Sequence, residues 1–221
     1  MTHDRSSELG PADDQGNRGT CLAFAASSAH ALARLATRGR PVLRLSEEAL
    51  YYLAKRVDGN ATPGTTPRSV GRGLAKTGQP AAARWPYDAT LTDQDPLPTP
   101  PTLAFEPRGL FRASLGDAAP KFDDLRAAFL SGLGVILGID LWPGFYAPVR
   151  DIVPTPAISD LLGDGHAVML AGVDDDLRRF RVRNSWGPTW GASGHAWMAE
   201  RAWLRSRLGA WVVRDDVDSP T

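Results

Sequence analysis

The 221-residue sequence predicts an α+β fold, and three features carry that expectation. Apolar residues recur at helical steps through the first half. Short strand-like apolar runs fill the second half, and a proline-rich stretch separates the two. A length of 221 residues suits one domain, 1–221, made of two subdomains that share a core. The helical one is expected over about 15–105 and the β-rich one over 106–221, with a cleft between them.

The first helix is expected from Cys21 to Thr37, where Leu22, Ala25, Ala29, Leu32 and Ala36 fall on one face. Thr20 is its expected N-cap, and Gly39-Arg40-Pro41 ends it. A second helix starts at Ser46, with Glu47 and Glu48 in its first turn complementing the dipole, and runs to about Val57. A third opens at Thr66-Pro67, with proline in the first helical position, and ends near Gly78. Pro86, Pro96, Pro98, Pro100, Pro101 and Pro107 then form the extended seam, since proline neither continues a helix nor donates to a sheet. Beyond it, Gly109–Ala113 reads as a strand and Pro120–Leu130 as a helix. Further strands are expected at Val135–Ile139, His166–Leu170, Phe180–Arg183 and Ala210–Val213, with Asp174-Asp175-Asp176 as a turn.

Composition excludes several functions. Twenty-five basic residues balance 25 acidic ones, and the arginines are scattered, so no field draws nucleic acid or an anionic membrane. No apolar run reaches the roughly 18 residues that span a bilayer, and the polar N-terminus has no signal-peptide core. Cys21 is the sole cysteine, so no disulfide forms within the chain and the expected setting is cytoplasmic. No histidine pair has ligand spacing, and Gly71-x-Gly73 lacks the strand and third glycine of a nucleotide loop. Neither metal nor cofactor is expected.

Cys21 stands where a helix begins. A lone cysteine is commonly a small buried hydrophobe, but free N–H groups at a helix start favour thiolate, the reactive species. Of four candidate histidine partners, His3 lies in the N-terminal tail and His30 points to the opposite face of the helix. His195 adjoins a glycine turn, and His166 opens an apolar strand after Gly163-Asp164-Gly165. The run Asn184-Ser185-Trp186-Gly187 breaks the tie. It ends a strand expected to pair with that of His166, so Asn184 can accept from one ring N–H and leave the other nitrogen for sulfur. Trp186 can shield that bond from water. Gln15, six residues before Cys21, can fold back so that its NH₂ and the Cys21 N–H converge as an oxyanion hole.

Three blocks together resemble the papain-like cysteine peptidases: Gln15-Gly16-x-x-Gly19-Thr20-Cys21-x-Ala23-Phe24-Ala25, Gly165-His166-Ala167-Val168, and Asn184-Ser185-Trp186-Gly187-x-x-Trp190-Gly191-x-x-Gly194. Leu45-Ser46-Glu47-Glu48 and Trp85-Pro86-Tyr87 match as well, so the likeness spans residues 13 to about 200. That family places its His and Asn about 130–150 residues past the Cys; here the intervals are 145 and 163. The resemblance implies a thiol endopeptidase acting on a polypeptide through Cys21, His166, Asn184 and Gln15. It makes Gly64, Gly165, Trp186 and Trp190 the candidate substrate-binding residues. An acyl-transfer or deamidating enzyme on the same triad, and a catalytically silent binding module, are the alternative readings.

The sequence departs from that pattern in several places. Arg18 replaces the usual second cysteine, and Leu22 replaces the usual aromatic after the nucleophile. Asp58–Thr65 stands where a Cys-Asn-Gly-Gly element normally pairs with substrate. With the glutamine already at position 15, the expectation is a bacterial-type enzyme without signal or propeptide. It is then either an excised catalytic domain or an intracellular enzyme restrained by a regulatory protein, an inhibitor or its own Leu141–Gly165 segment.

Overall fold

The structure is a computed structural model that describes residues 1–39, 43–160 and 162–216. Arg40 and Pro41, expected to stop the first helix, lie outside the described residues, as does Leu161 of the 141–165 segment. After a short strand β1 (Thr2–Asp4) and a helical turn α1 (Ser6–Leu9) come three helices: α2 (Cys21–Arg38), α3 (Glu47–Asp58) and α4 (Pro67–Lys76). β2 (Gln79–Pro80) pairs with β3 (Leu110–Phe111) as a small ribbon across the proline-rich seam. The rest is β4 (Ala113–Asp117), α5 (Phe122–Leu130), β5 (Gly134–Asp140), α6 (Pro143–Tyr146), β6 (Ile152–Val153), β7 (Gly165–Asp174), β8 (Arg179–Arg183), β9 (His195–Ala199), α7 (Glu200–Ser206) and β10 (Arg207–Asp215).

One sheet runs in the order β4-β10-β5-β7-β8-β9-β6, with β1 added on β7. His3 of the N-terminal tail thus lies in a strand, in register with Val173. β7 is buried from His166 to Asp174, as a central strand with both faces covered must be. It pairs antiparallel with β8 through the acidic turn. β9 and α7 were not foreseen. α7 interleaves its apolar residues with charge and β9 is five residues long, so tertiary burial of Trp203 and Met198 decides their state.

The alanine-rich face of α2 explains where Cys21 sits. Ala25, Ala26, Ala29, Leu32 and Ala33 are buried, and small side chains let the helix approach the sheet closely. At Gly134 of β5 the approach is so tight that a Cβ there would overlap the Ala29 carbonyl. The α2 axis is thereby fixed against β5, β7 and β10, and its first residue, Cys21, is delivered to the start of β7. α3 is capped by Ser46, whose hydroxyl accepts from Ala49 N–H, and α4 by Thr66, which accepts from Ser69 N–H.

Glu47 and Glu48 stand in the first turn of α3 as expected, and they are buried, 2% and 1% exposed. Thr20 does not cap α2. Its hydroxyl pairs with the Tyr87 phenol at 2.8 Å, and its side chain accepts from no first-turn amide.

Candidate active site

The unused cap has a chemical consequence. Because Thr20 turns away, the N–H groups of Cys21 and Leu22 have no side-chain acceptor and lie beside the Cys21 sulfur. The sulfur also meets the backbone N–H of Ala167, the residue after His166, so the thiol sits at the head of β7. Burial pushes the Cys21 thiol up, and these three amides pull it back only in part. The helix-start amides thus favour the thiolate as expected, and burial outweighs them.

His166 is 6% exposed. Burial draws its ring down to about 4, and the bond to Asn184 opposes that only weakly. Its Nε2 is 2.7 Å from Asn184 Oδ1. Ser185 N–H, a donor with no alternative role, also points at that oxygen at 2.8 Å. A flipped amide would set NH₂ against that donor, so the oxygen must face both groups and His166 carries its proton on Nε2. Nδ1 is left as the basic nitrogen. Asn184 Nδ2 is buried without a partner, so the amide is held from its oxygen side alone.

Trp186 tilts over the imidazole with ring centres 4.9 Å apart and keeps water from the His–Asn bond. Phe145 supports both rings, at 5.8 Å from His166 and 5.5 Å from Trp186. Trp190 is 6% exposed, and its indole N–H donates to Phe145 O at 2.9 Å, so it backs the aromatic wall. On the outer side Tyr146, 58% exposed, stacks on Trp186 at 5.3 Å.

Gln15 lies in the loop before α2 and is stitched to the Asn184 segment. Gln15 N–H donates to Ser185 O at 2.8 Å, and Ser185 Oγ donates to Gln15 Oε1 at 2.6 Å. Its NH₂ spends one N–H on Arg18 O at 2.7 Å, and the second N–H is left as a donor. Ser185 therefore orients both Asn184 and Gln15. Sequence reasoning quoted the residue within its motif but gave it no task, because only the fold brings position 15 to position 185.

Gly165 is exposed at the start of β7, opposite Asp140. Gly64 packs its backbone on Gly19, where a Cβ would come within 2.6 Å of Gly64 N, so the motif glycine at 19 answers to close approach. The Gly64 carbonyl faces the buried Lys55 ammonium at 3.1 Å, which competes with any substrate N–H for it. A cavity of about 680 Å³ opens beside this loop, lined by Arg18, Tyr51, Lys55, Asn60 and Asp93 among others, and reaches neither Cys21 nor His166. The remaining histidines serve the framework. His195 Nδ1 donates to Ser193 O, and burial holds the ring at about 4. His30 lies between Gln79 and Asp215. Among the described residues, no group of three or more His, Cys, Asp or Glu could hold a metal, and no helix is long and apolar enough to cross a membrane.

No protein-family model matches the chain. A curated relative, the uncharacterized peptidase C1-like protein L477 of Acanthamoeba polyphaga mimivirus, is 24% identical over 227 residues, covering 93% of this chain and 70% of that one. The solved structure of xylellain, a cysteine protease from Xylella fastidiosa, superposes with a TM-score of 0.84 at 25% identity, over 96% of this chain and 85% of that one. The cysteine protease and lectin-like domains of Cwp84, a surface layer associated protein of Clostridium difficile, give 0.76 at 16% identity over 97% and 52%, a likeness of fold. The α+β architecture, the cysteine at the helix start and these likenesses converge: the chain is a cysteine-type peptidase whose fold is similar to that of the papain-like cysteine proteases.

Proposed function

We propose that the chain hydrolyses peptide bonds within polypeptides through Cys21, His166 and Asn184, with Gln15 completing the oxyanion hole. His166 Nδ1 takes the thiol proton, and the sulfur adds to the scissile carbonyl. The N–H of Cys21 and the free N–H of Gln15 receive the oxyanion. His166 then returns the proton to the departing amine, leaving a thioester. Water, deprotonated by the same nitrogen, releases the acid and restores the thiol. Burial disfavours a thiolate alone and an imidazolium alone, so the two charges form together and titrate as a pair.

The observation that carries this reading is the fixed tautomer of His166, with Nε2 tied to Asn184 and the sulfur on the neighbouring Ala167 amide. With one cysteine and no disulfide, the enzyme suits a reducing, cytoplasmic setting, where a regulatory protein or inhibitor restrains it. The test is alkylation by dilute iodoacetamide at pH 6. Cys21 should react more than ~10-fold faster than a free thiol, and the excess should vanish in His166→Ala. Equal rates leave only a binding module. A peptide-library digest read by mass spectrometry then separates cleavage from acyl transfer.

A further inference from the structure

Arg18 occupies the loop between Gln15 and Cys21, and its side chain is 4% exposed. Its guanidinium meets Glu48 of α3, 1% exposed, in a two-pronged contact of 2.7 and 2.8 Å. Tyr51 and Tyr87 lie against the same guanidinium, with ring centres 5.3 and 5.2 Å from its carbon. The Tyr87 phenol donates to Gln15 O at 2.8 Å and accepts from Thr20 Oγ1 at 2.8 Å. The backbone carbonyl of Arg18 is the acceptor that holds the Gln15 NH₂. Asp93 takes the next amide, Gly19 N–H, at 3.0 Å.

One residue therefore anchors the loop outward through its side chain and aims the candidate oxyanion donor through its main chain. We infer that Arg18, clamped by Glu48 and the two tyrosines, is a positioning residue for the oxyanion hole, an ionic fastening at the place where related enzymes carry a cystine. The inference rests on the proposed role of Gln15. It goes further in giving the alignment of that donor to a buried ion pair, which cannot be reduced.

The geometry requires this kind of fastening. The Gln15 donor must lie within a few tenths of an ångström of where negative charge develops, and side chains that only pack leave a loop more play than that. A planar guanidinium gripping a carboxylate at two points fixes direction as well as distance, which an ammonium does not.

The test uses two reactions of one thiol. Peptide hydrolysis passes through an oxyanion. Alkylation by iodoacetamide forms a carbon–sulfur bond as iodide leaves a saturated carbon, and no oxyanion arises. Removing one partner of a buried pair strands the other, so the primary variant is the double Arg18→Met, Glu48→Leu, which replaces both charges by apolar groups of similar bulk. In the double variant kcat for a peptide substrate should fall about 30- to 100-fold with KM within about threefold. The Cys21 alkylation rate and far-UV circular dichroism should stay at wild-type values. Arg18→Lys, which keeps a charge beside Glu48, should show the same split at about tenfold.

Unchanged kcat in these variants overturns the inference. So does a parallel fall of kcat and alkylation, which marks a general loss of site structure. If the double variant does not fold, Arg18→Lys decides on the same two readings. A wild-type chain with no Cys21-dependent hydrolysis overturns the underlying reading of Gln15, and the clamp with it.

Discussion

Two buried histidines, both linked to the long helix α2, stand in opposite surroundings. His30, on the helix itself, is fully buried with Nε2 3.1 Å from the Asp215 carboxylate of β10. Arg34 and Thr37 reach the same carboxylate at 2.9 and 3.0 Å. Burial works against the charge of Asp215, but these partners outweigh it and hold the carboxyl below its usual range. His166, beyond the helix start, has Asn184 for a partner. An amide offers a dipole where a carboxylate offers a full charge. The first arrangement locks helix to sheet; the second fixes the direction of a ring and leaves its proton affinity low enough for proton exchange.

The largest test of that contrast removes each ring. His166→Ala should lower peptide hydrolysis by at least ~10³-fold. Its Cys21 should alkylate more slowly than a free thiol near neutral pH, because burial raises the thiol once the base is gone. Stability should be kept or improved. His30→Ala should do the reverse, with kcat within about threefold and a loss of about 3 kcal/mol in urea unfolding as a buried charge network is opened. A large fall of kcat in His30→Ala would erase the distinction.

A smaller change converts one setting toward the other. Asn184→Asp places a carboxylate beside His166, and an opposite charge favours imidazolium, so the ring should rise from about 4. The proposed deacylation needs the neutral ring. The limb of the kcat–pH profile that reports its deprotonation should therefore move up by about one unit, with kcat reduced about fivefold at pH 4 and little changed at pH 6. A profile that stays in place would mean that the partner's charge does not govern the ring.

The contrast also separates what the sequence discloses from what it withholds. Cys21, His166 and Asn184 stand in runs where each residue's neighbours reveal a helix start or a strand end. A local pattern therefore suffices to set them apart and to predict that β7 and β8 pair. The ties of Gln15 to Ser185, Arg18 to Glu48 and His30 to Asp215 join residues 170, 30 and 185 positions apart. Such ties depend on the angle at which helices meet the sheet, and no periodicity encodes that angle. Thr20 misleads for the same reason: its preference as a cap is local, and the phenol that claims its hydroxyl is 67 residues away. Trp190 matched a motif correctly, yet its burial is decided by Phe145 from the 141–165 segment.

The smallest effect concerns a second buried carboxylate. Glu47 is 2% exposed, its Oε2 has no partner among the described residues, and Arg44 comes only to 3.8 Å of Oε1. Burial accordingly pushes this carboxyl up to about 7, opposite to Asp215 with its several partners. A folded pKa of about 7 against an unfolded 4.5 means that the native state binds the extra proton between those values. Stability therefore falls as pH rises through that window and is lower by up to about 3 kcal/mol above it. His166 and His195, both drawn to about 4, act in the other direction: the unfolded chain protonates first, and stability falls as pH drops below about 6.5. Glu47→Gln isolates the first effect by removing the charge and keeping the shape. It should raise urea-unfolding stability by about 1–3 kcal/mol at pH 8, and the gain should shrink to about 0.4 kcal/mol at pH 4.5, where the unfolded carboxyl is half protonated, and vanish by about pH 3. An equal gain at both ends of that range would assign it to packing instead of charge, and a loss at pH 8 would mean that Arg44 compensates the carboxylate after all.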